Sequence, residues 1–263
     1  MPVKAYLVCE TKAPGDVVQK AKPFVVTIPH PNTAAQGADG TWLYDVNVYP
    51  KNEAIDVEKS VQEQKVNGYG VGSLVRFPVS SELATLDATS HYKYFQIKDT
   101  LDARLSEVTA TEVTLEGAAL EASDYTVATN GQTVTVTFTA SGLAKLKAAA
   151  TKKVSATFQG KVTSVGDGSI RNTAQVLTDT VYAEQPPTPE EPPANPADPP
   201  TSNEVVTRWG DLVITKVDTK DKAQSKAGLK GAEFQLFKAK DAYAGTCSKE
   251  KEGEAISVGG KTT

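Results

Sequence analysis

Cysteine, histidine and methionine are nearly missing from this chain of 263 residues, which holds two cysteines, two histidines and one methionine. Two cysteines over that length do not make a disulfide framework. No Cys/His group has metal-ligand spacing, so no metal is expected. His30 and His91 stand alone, with no Ser/His/Asp or Cys/His arrangement to recruit them as a base. Long apolar runs are also absent: nothing approaches the roughly eighteen consecutive apolar residues of a membrane span. Charge of one sign is scarce, because 28 basic and 32 acidic residues are interspersed to a net charge of -4. That leaves no basic field for nucleic acid, and no nucleic-acid partner is expected. The cluster Gly68-Tyr69-Gly70-Val71-Gly72 precedes a strand pattern with no helix behind it, so it reads as a turn and not as a phosphate loop. The sequence shows no machinery for turnover catalysis and requires no cofactor.

What is present is strand. The length has room for about two domains, and alternating apolar and polar residues recur in short runs: Ala5 to Glu10, Phe24 to Ile28, Ile55 to Val61, Leu74 to Val79, Tyr92 to Ile97, Val154 to Val165 and Ile170 to Val176. Tyr125 to Ala128 and Val134 to Thr139 bracket Asn130-Gly131, a hairpin signal. One helix is predicted from a Ser141 cap through Lys153, with Leu143, Leu146 and Ala150 on one face. From Gln185 to Pro200 there are eight prolines in sixteen residues, the composition of a semi-rigid extended spacer. Strand patterns resume at Leu212 to Val217 and Ala232 to Phe237. The fold class expected is all-β, a tandem of immunoglobulin-like β-sandwiches. The boundaries are 1–32 for the end of one domain, 33–52 for a linker strand, 53–184 for a complete sandwich, 185–204 for the proline-rich linker and 205–263 for the start of another domain.

The run Trp42 to Asn52 alternates like a half-buried strand and stops where Pro50 removes a backbone donor and Lys51 follows. Taken alone, such a lysine is an ordinary surface residue. Trp42, Val46, Val48, Tyr49, Pro50, Lys51 and Asn52 together form Trp-x-x-x-Val-x-Val-Tyr-Pro-Lys-Asn, which resembles the pilin motif of the sortase-assembled shaft pilins of Gram-positive bacteria, corynebacterial type. The resemblance implies that the Lys51 amine attacks an acyl-sortase thioester and is joined to the next subunit. A secreted pilin carries a leader and a sorting signal. Met1-Pro2-Val3-Lys4 has no charged-then-apolar pattern and Gly259 to Thr263 ends without a sorting signal, so the chain is expected to be a fragment of a longer one.

Three further residues gain meaning from their order. Lys59 shares a strand face with Val57 and Val61, Asp99 follows Ile97, and Asn172 follows Ile170. Each has an ordinary reading, Lys59 as a snorkelling or salt-bridged strand residue and Asp99 as a turn residue. Together they resemble the Lys, Asp and Asn of A-type collagen-adhesin domains that carry a spontaneous isopeptide bond. Burial makes such a lysine a neutral nucleophile and keeps the carboxyl protonated, while Asn supplies the carbon from which ammonia leaves. Tyr6-Leu7-Val8-Cys9-Glu10-Thr11-Lys12-Ala13-Pro14 resembles the E-box of B-type domains, with Val8 in place of Leu. By that resemblance Glu10 catalyses a cross-link whose lysine lies upstream of Met1. Ile214 to Asp218 resembles the start of another B-type domain with Lys216 as the isopeptide lysine. Cys9 reads as a free strand thiol, and Cys247 as one whose disulfide partner lies beyond the chain. The family implies an extracellular pilus anchored to the cell wall, whose partners are neighbouring pilin subunits and a pilin-specific sortase. A monomeric cell-wall adhesin built from the same domains and binding a host ligand is the rival reading.

Overall fold

The computed structural model describes residues 3–14, 17–32, 42–62, 70–149, 152–164, 166–194, 196 and 198–208, with short pieces between 233 and 262. In chain order the strands are β1 Lys4–Val8, β2 Val17–Gln19, β3 Phe24–Ile28, β4 His30–Pro31, β5 Trp42–Leu43, β6 Glu53–Ala54, β7 Val57–Lys59, β8 Leu74–Glu82, β9 Ser90–Thr100, β10 Leu105–Leu115, β11 Ala118–Ala119, β12 Tyr125–Asn130 and β13 Thr133–Phe138. Helix α1 Ala140–Ala148 follows, then β14 Lys153–Val162, β15 Ser169–Asn172, β16 Ala174–Tyr182 and β17 Val205–Arg208.

Two sheets form the sandwich. One has five strands in the order β11-β10-β14-β8-β7, and the other four in the order β12-β13-β9-β16. Their inner faces follow from the period of two: β8 buries Val75, Phe77 and Val79, while β13 buries Val134, Val136 and Phe138. Phe95 sits fully buried between the layers and meets both Tyr92 and Phe138 edge to face, at ring-centroid distances of 5.6 Å. Apolar burial on this scale is the main stabilising contribution to the sandwich.

The N-terminal strands are joined to this body through β2. β1 pairs with β3, β4 with β5, and β2 with β6. Val18 of β2 is buried in the sandwich core. Thr180 Oγ1 donates to Val18 O at 2.9 Å, and the Tyr182 hydroxyl donates to Lys20 O at 3.0 Å.

Several expectations are corrected by the structure. The run Trp42 to Asn52 is not a continuous half-buried strand: only Trp42–Leu43 pairs, and the residues after it are mostly exposed. The helix is capped by Thr139, whose side chain accepts from Gly142 N–H, and it stops at Ala148 because the chain must turn into β14 at Lys153. Gly142 is required there, since a Cβ would lie 2.0 Å from Asp124 O. Strand β10 escapes a period-two reading because two register irregularities against β14 shift its inward residues. The proline-rich segment does not stand off as a spacer. Glu190 N–H donates to Lys93 O and Val176 N–H to Pro200 O, each at 2.9 Å. Val205–Arg208, expected to open the next domain, instead pairs antiparallel with β15.

Replacing Phe95 with Ala removes a ring packed at the centre of both layers. The unfolding free energy measured in urea is expected to fall by about 3–5 kcal/mol. A loss below about 1 kcal/mol would mean that the layers do not close on this residue.

Candidate functional sites

Alternation aims three polar side chains into an apolar interior. On β7, Val57 and Lys59 face inward. On β9, Phe95, Ile97 and Asp99 do so, and on β15, Ile170 and Asn172. β7 is the outer strand of the five-stranded sheet and β9 is central in the other, so the three meet in the space between the sheets. The side chains of Lys59 and Asp99 are both 0% exposed. Lys59 Nζ donates to Asp99 Oδ2, and Asn172 Nδ2 donates to the same oxygen at 3.4 Å. Asp99 Oδ1 has no partner among the described residues. The Phe77 ring lies 5.2 Å from Lys59 Nζ and supplies one wall of the site.

Removal from water governs the charge state here. Burial pushes the Lys59 amine below its ordinary value, with the attraction of Asp99 opposing it, and burial pushes the Asp99 carboxyl up, with Lys59 opposing. Both shifts favour a neutral amine beside a protonated acid. The three expected side chains are therefore brought together, and both shifts run toward the protonation that aminolysis of an amide needs.

The motif lysine lies in a different setting. Lys51 and its neighbours Tyr49 and Pro50 are exposed, Tyr49 to 85%. Trp42 pairs with Pro31 and is half exposed, Val46 is partly buried and Val48 is exposed. The side chain of Asn52 is held on two sides: Nδ2 donates to Glu10 Oε1 at 2.7 Å, and Oδ1 accepts from Ala21 N–H at 2.9 Å. Glu10 Oε2 accepts from the same Ala21 N–H at 3.0 Å. Glu10 thus sits against the motif asparagine, a contact that nothing in the order of the residues announced. Cys9 is an exposed free thiol. Lys216 and Cys247 lie outside the described residues.

A residue missed from sequence is Asn203. Its Oδ1 accepts from Lys59 N–H at 2.8 Å and its Nδ2 donates to Lys59 O at 3.0 Å, across 144 positions of sequence. An asparagine after a proline-rich run carries no local signal for such a contact.

Against known proteins, the family model of the Gram-positive pilin subunit D1, N-terminal domain, matches residues 2–53, and that of the Sgo0707 N2 domain matches residues 56–186. The chain is 65% identical to a fimbrial subunit type 2 of Actinomyces naeslundii over 264 residues, covering 100% of this chain and 49% of that protein. It spans about half the length of the curated relatives it matches. The crystal structure of the Actinomyces fimbrial adhesin FimA is similar at 67% identity and a TM-score of 0.67, covering 79% of this chain and 73% of that one. The full-length major pilin SpaD of Corynebacterium diphtheriae is similar at 31% identity and a TM-score of 0.71, over 99% of this chain and 57% of that one. With the motif and the immunoglobulin-like sandwich both in place, the chain belongs to the fimbrial shaft pilins of Gram-positive bacteria.

Proposed function

We propose that the chain is the load-bearing part of a structural subunit in a covalent extracellular pilus, joined to its neighbours by a sortase at Lys51 and hardened by an internal amide between Lys59 and Asn172. The fibre is anchored to the cell wall, and the partners are neighbouring pilin subunits and the pilin-specific sortase. The observation that carries this reading is the buried Lys59–Asp99–Asn172 cluster between the two sheets of a pilin-family chain.

The chemistry needs no enzyme. A proton passes from the Lys59 ammonium to Asp99 Oδ2, leaving a neutral amine. Nζ then attacks Asn172 Cγ, and a new C–N bond forms. Asp99 returns a proton to Asn172 Nδ2, which leaves as ammonia, and takes up the surplus proton from Nζ. One amide has replaced another, and Asp99 ends protonated as it was at the moment of attack. Both nitrogens already face one carboxyl oxygen, so the shuttle needs little rearrangement.

The bond would close a loop between positions 113 apart in sequence, worth about 4 to 5 kcal/mol on the chain-entropy model of cross-links. Its mechanical effect is larger than this figure suggests. It would tie an edge strand of one sheet to a strand continuing the edge of the other, so tension cannot peel the layers apart. Lys51 stands eight positions before Lys59, so load entering at the intersubunit bond reaches the internal one almost at once. Exposure of Lys51 on an unpaired extended run supports access by an enzyme-bound thioester.

Two measurements test this reading. The intact mass of the chain should fall one ammonia below the sum of its residues, and the Asp99→Ala chain should show its full residue mass. A wild-type mass equal to the sum overturns the internal bond. In sortase-catalysed joining, Lys51→Arg keeps the charge but removes the usable amine, and should abolish product with no change in melting temperature. Undiminished joining overturns the role of Lys51.

A further inference from the structure

Residues 200–208 lie beyond both family-model matches, which end at 53 and 186, yet they complete the wall around the buried cluster. Val176 N–H donates to Pro200 O, and Ser202 N–H to Ala174 O, each at 2.9 Å. Ala174 N–H donates in return to Ser202 Oγ at 2.9 Å. Val205–Arg208 then pairs with Ser169–Asn172, setting Val205 opposite Asn172. The segment therefore runs antiparallel along the stretch that carries Asn172. Between these two sets of bonds, Asn203 turns to the other sheet and grips the backbone of Lys59 through both its N–H and its C=O.

We propose that residues 200–207 are a strap that completes the cross-linking site, with Asn203 as the positioning residue for Lys59. The proposal rests on the reading that Lys59 and Asn172 become joined.

Three physical points carry it. β7 is only three residues long and lies at a sheet edge, paired with β8 on one side, and short edge strands fray readily. The side-chain amide of Asn203 supplies the acceptor and donor that a missing neighbouring strand would give, so it fixes the residue whose amine must reach Asn172. Aminolysis is steeply sensitive to this placement, since small displacements of a reacting pair cost orders of magnitude in rate. Asn203 also forms one wall of a groove of about 400 Å³ lined by Glu58, Lys59, Ser60, Pro78 and Ser80. Truncating it opens that groove toward Lys59, and water there favours the charged, unreactive ammonium. The strap follows the rest of the sandwich in sequence, so bond formation waits until it has docked, and residues 53–184 alone hold an incomplete site.

The test uses the full chain and follows cross-linked fraction against time by intact mass, for wild type, Asn203→Ala, Asn203→Asp and Ser202→Ala. Circular dichroism of each change in an Asp99→Ala background, where no bond forms, reports folding separately. Asn203→Ala is expected to remain folded and to lose ammonia about tenfold more slowly than wild type, the effect of releasing two hydrogen bonds from the reacting strand. Asn203→Asp keeps an acceptor for Lys59 N–H and should fall between. Ser202→Ala removes the hydroxyl that accepts from Ala174 N–H and donates to Asn203 O but leaves both bonds from the Asn203 side chain to Lys59 in place, and should slow the reaction less than Asn203→Ala. A folded Asn203→Ala chain that cross-links at the wild-type rate overturns the proposal. If Asn203→Ala does not fold, Asn203→Asp decides: an intermediate rate supports the strap and a wild-type rate overturns it. A wild-type chain that never loses ammonia overturns the underlying bond itself, an outcome read from the wild type alone.

Discussion

An amine and a carboxyl group sealed between two β-sheets impose the central constraint on this molecule. Lys59 and Asp99 have no exposed side-chain surface, and withdrawing two ions from water costs several kcal/mol each even after relaxation. The surroundings offset little of this by hydrogen bonding: Asp99 holds Lys59 and Asn172 on one oxygen, and the other has no partner among the described residues. The pair is therefore driven toward its neutral form, where the cost of burial is smaller and the amine becomes a nucleophile. What would be a liability in a static core is the condition for the chemistry proposed for this one. The proposed amide removes the liability permanently, since an uncharged bond replaces the pair.

The rest of the sandwich reads as support for that burial. Phe77 walls the amine, and Ile97 and Ile170 keep the approaches apolar. The open edge at β7 is covered by a side chain acting as a surrogate strand. The proline-rich run suits this task. Its eight prolines carry no N–H groups that would need partners, and it delivers Thr201 and Ser202 to β16 of the four-stranded sheet and Asn203 to β7 of the five-stranded one.

The exposed lysine and the buried one are linked through few intermediates. The motif ends at Asn52, which Glu10 and Ala21 hold, and the next two residues form β6 and pair with β2. β2 is in turn fastened to β16 through Val18, Thr180 and Tyr182. Tension applied at Lys51 would thus be shared between the covalent chain leading to Lys59 and a hydrogen-bonded side path into the opposite sheet. A fibre of single covalent chains gains from such sharing, because the hydrogen-bonded elements then carry load in shear and are not opened one at a time.

The sequence by itself determined the fold class, the motif lysine and the three inward polar residues, because each is encoded locally. A period of two assigns a face, and a fixed string of residues singles out Lys51 as the candidate for intersubunit joining. It did not determine where strands pair. The Trp42 to Asn52 run has the alternation of a half-buried strand, but only two of its residues found a partner. β10 was hidden because bulges break the period on which the reading depends. The proline-rich segment read as a spacer because composition reports stiffness and says nothing about docking. Only the tertiary structure set Glu10 against Asn52 and Asn203 against Lys59, since a side chain that bonds a backbone 42 or 144 positions away leaves no trace in the order of residues around it. Faces are a property of the local chain, whereas partners are chosen by the whole fold once burial has brought distant segments together.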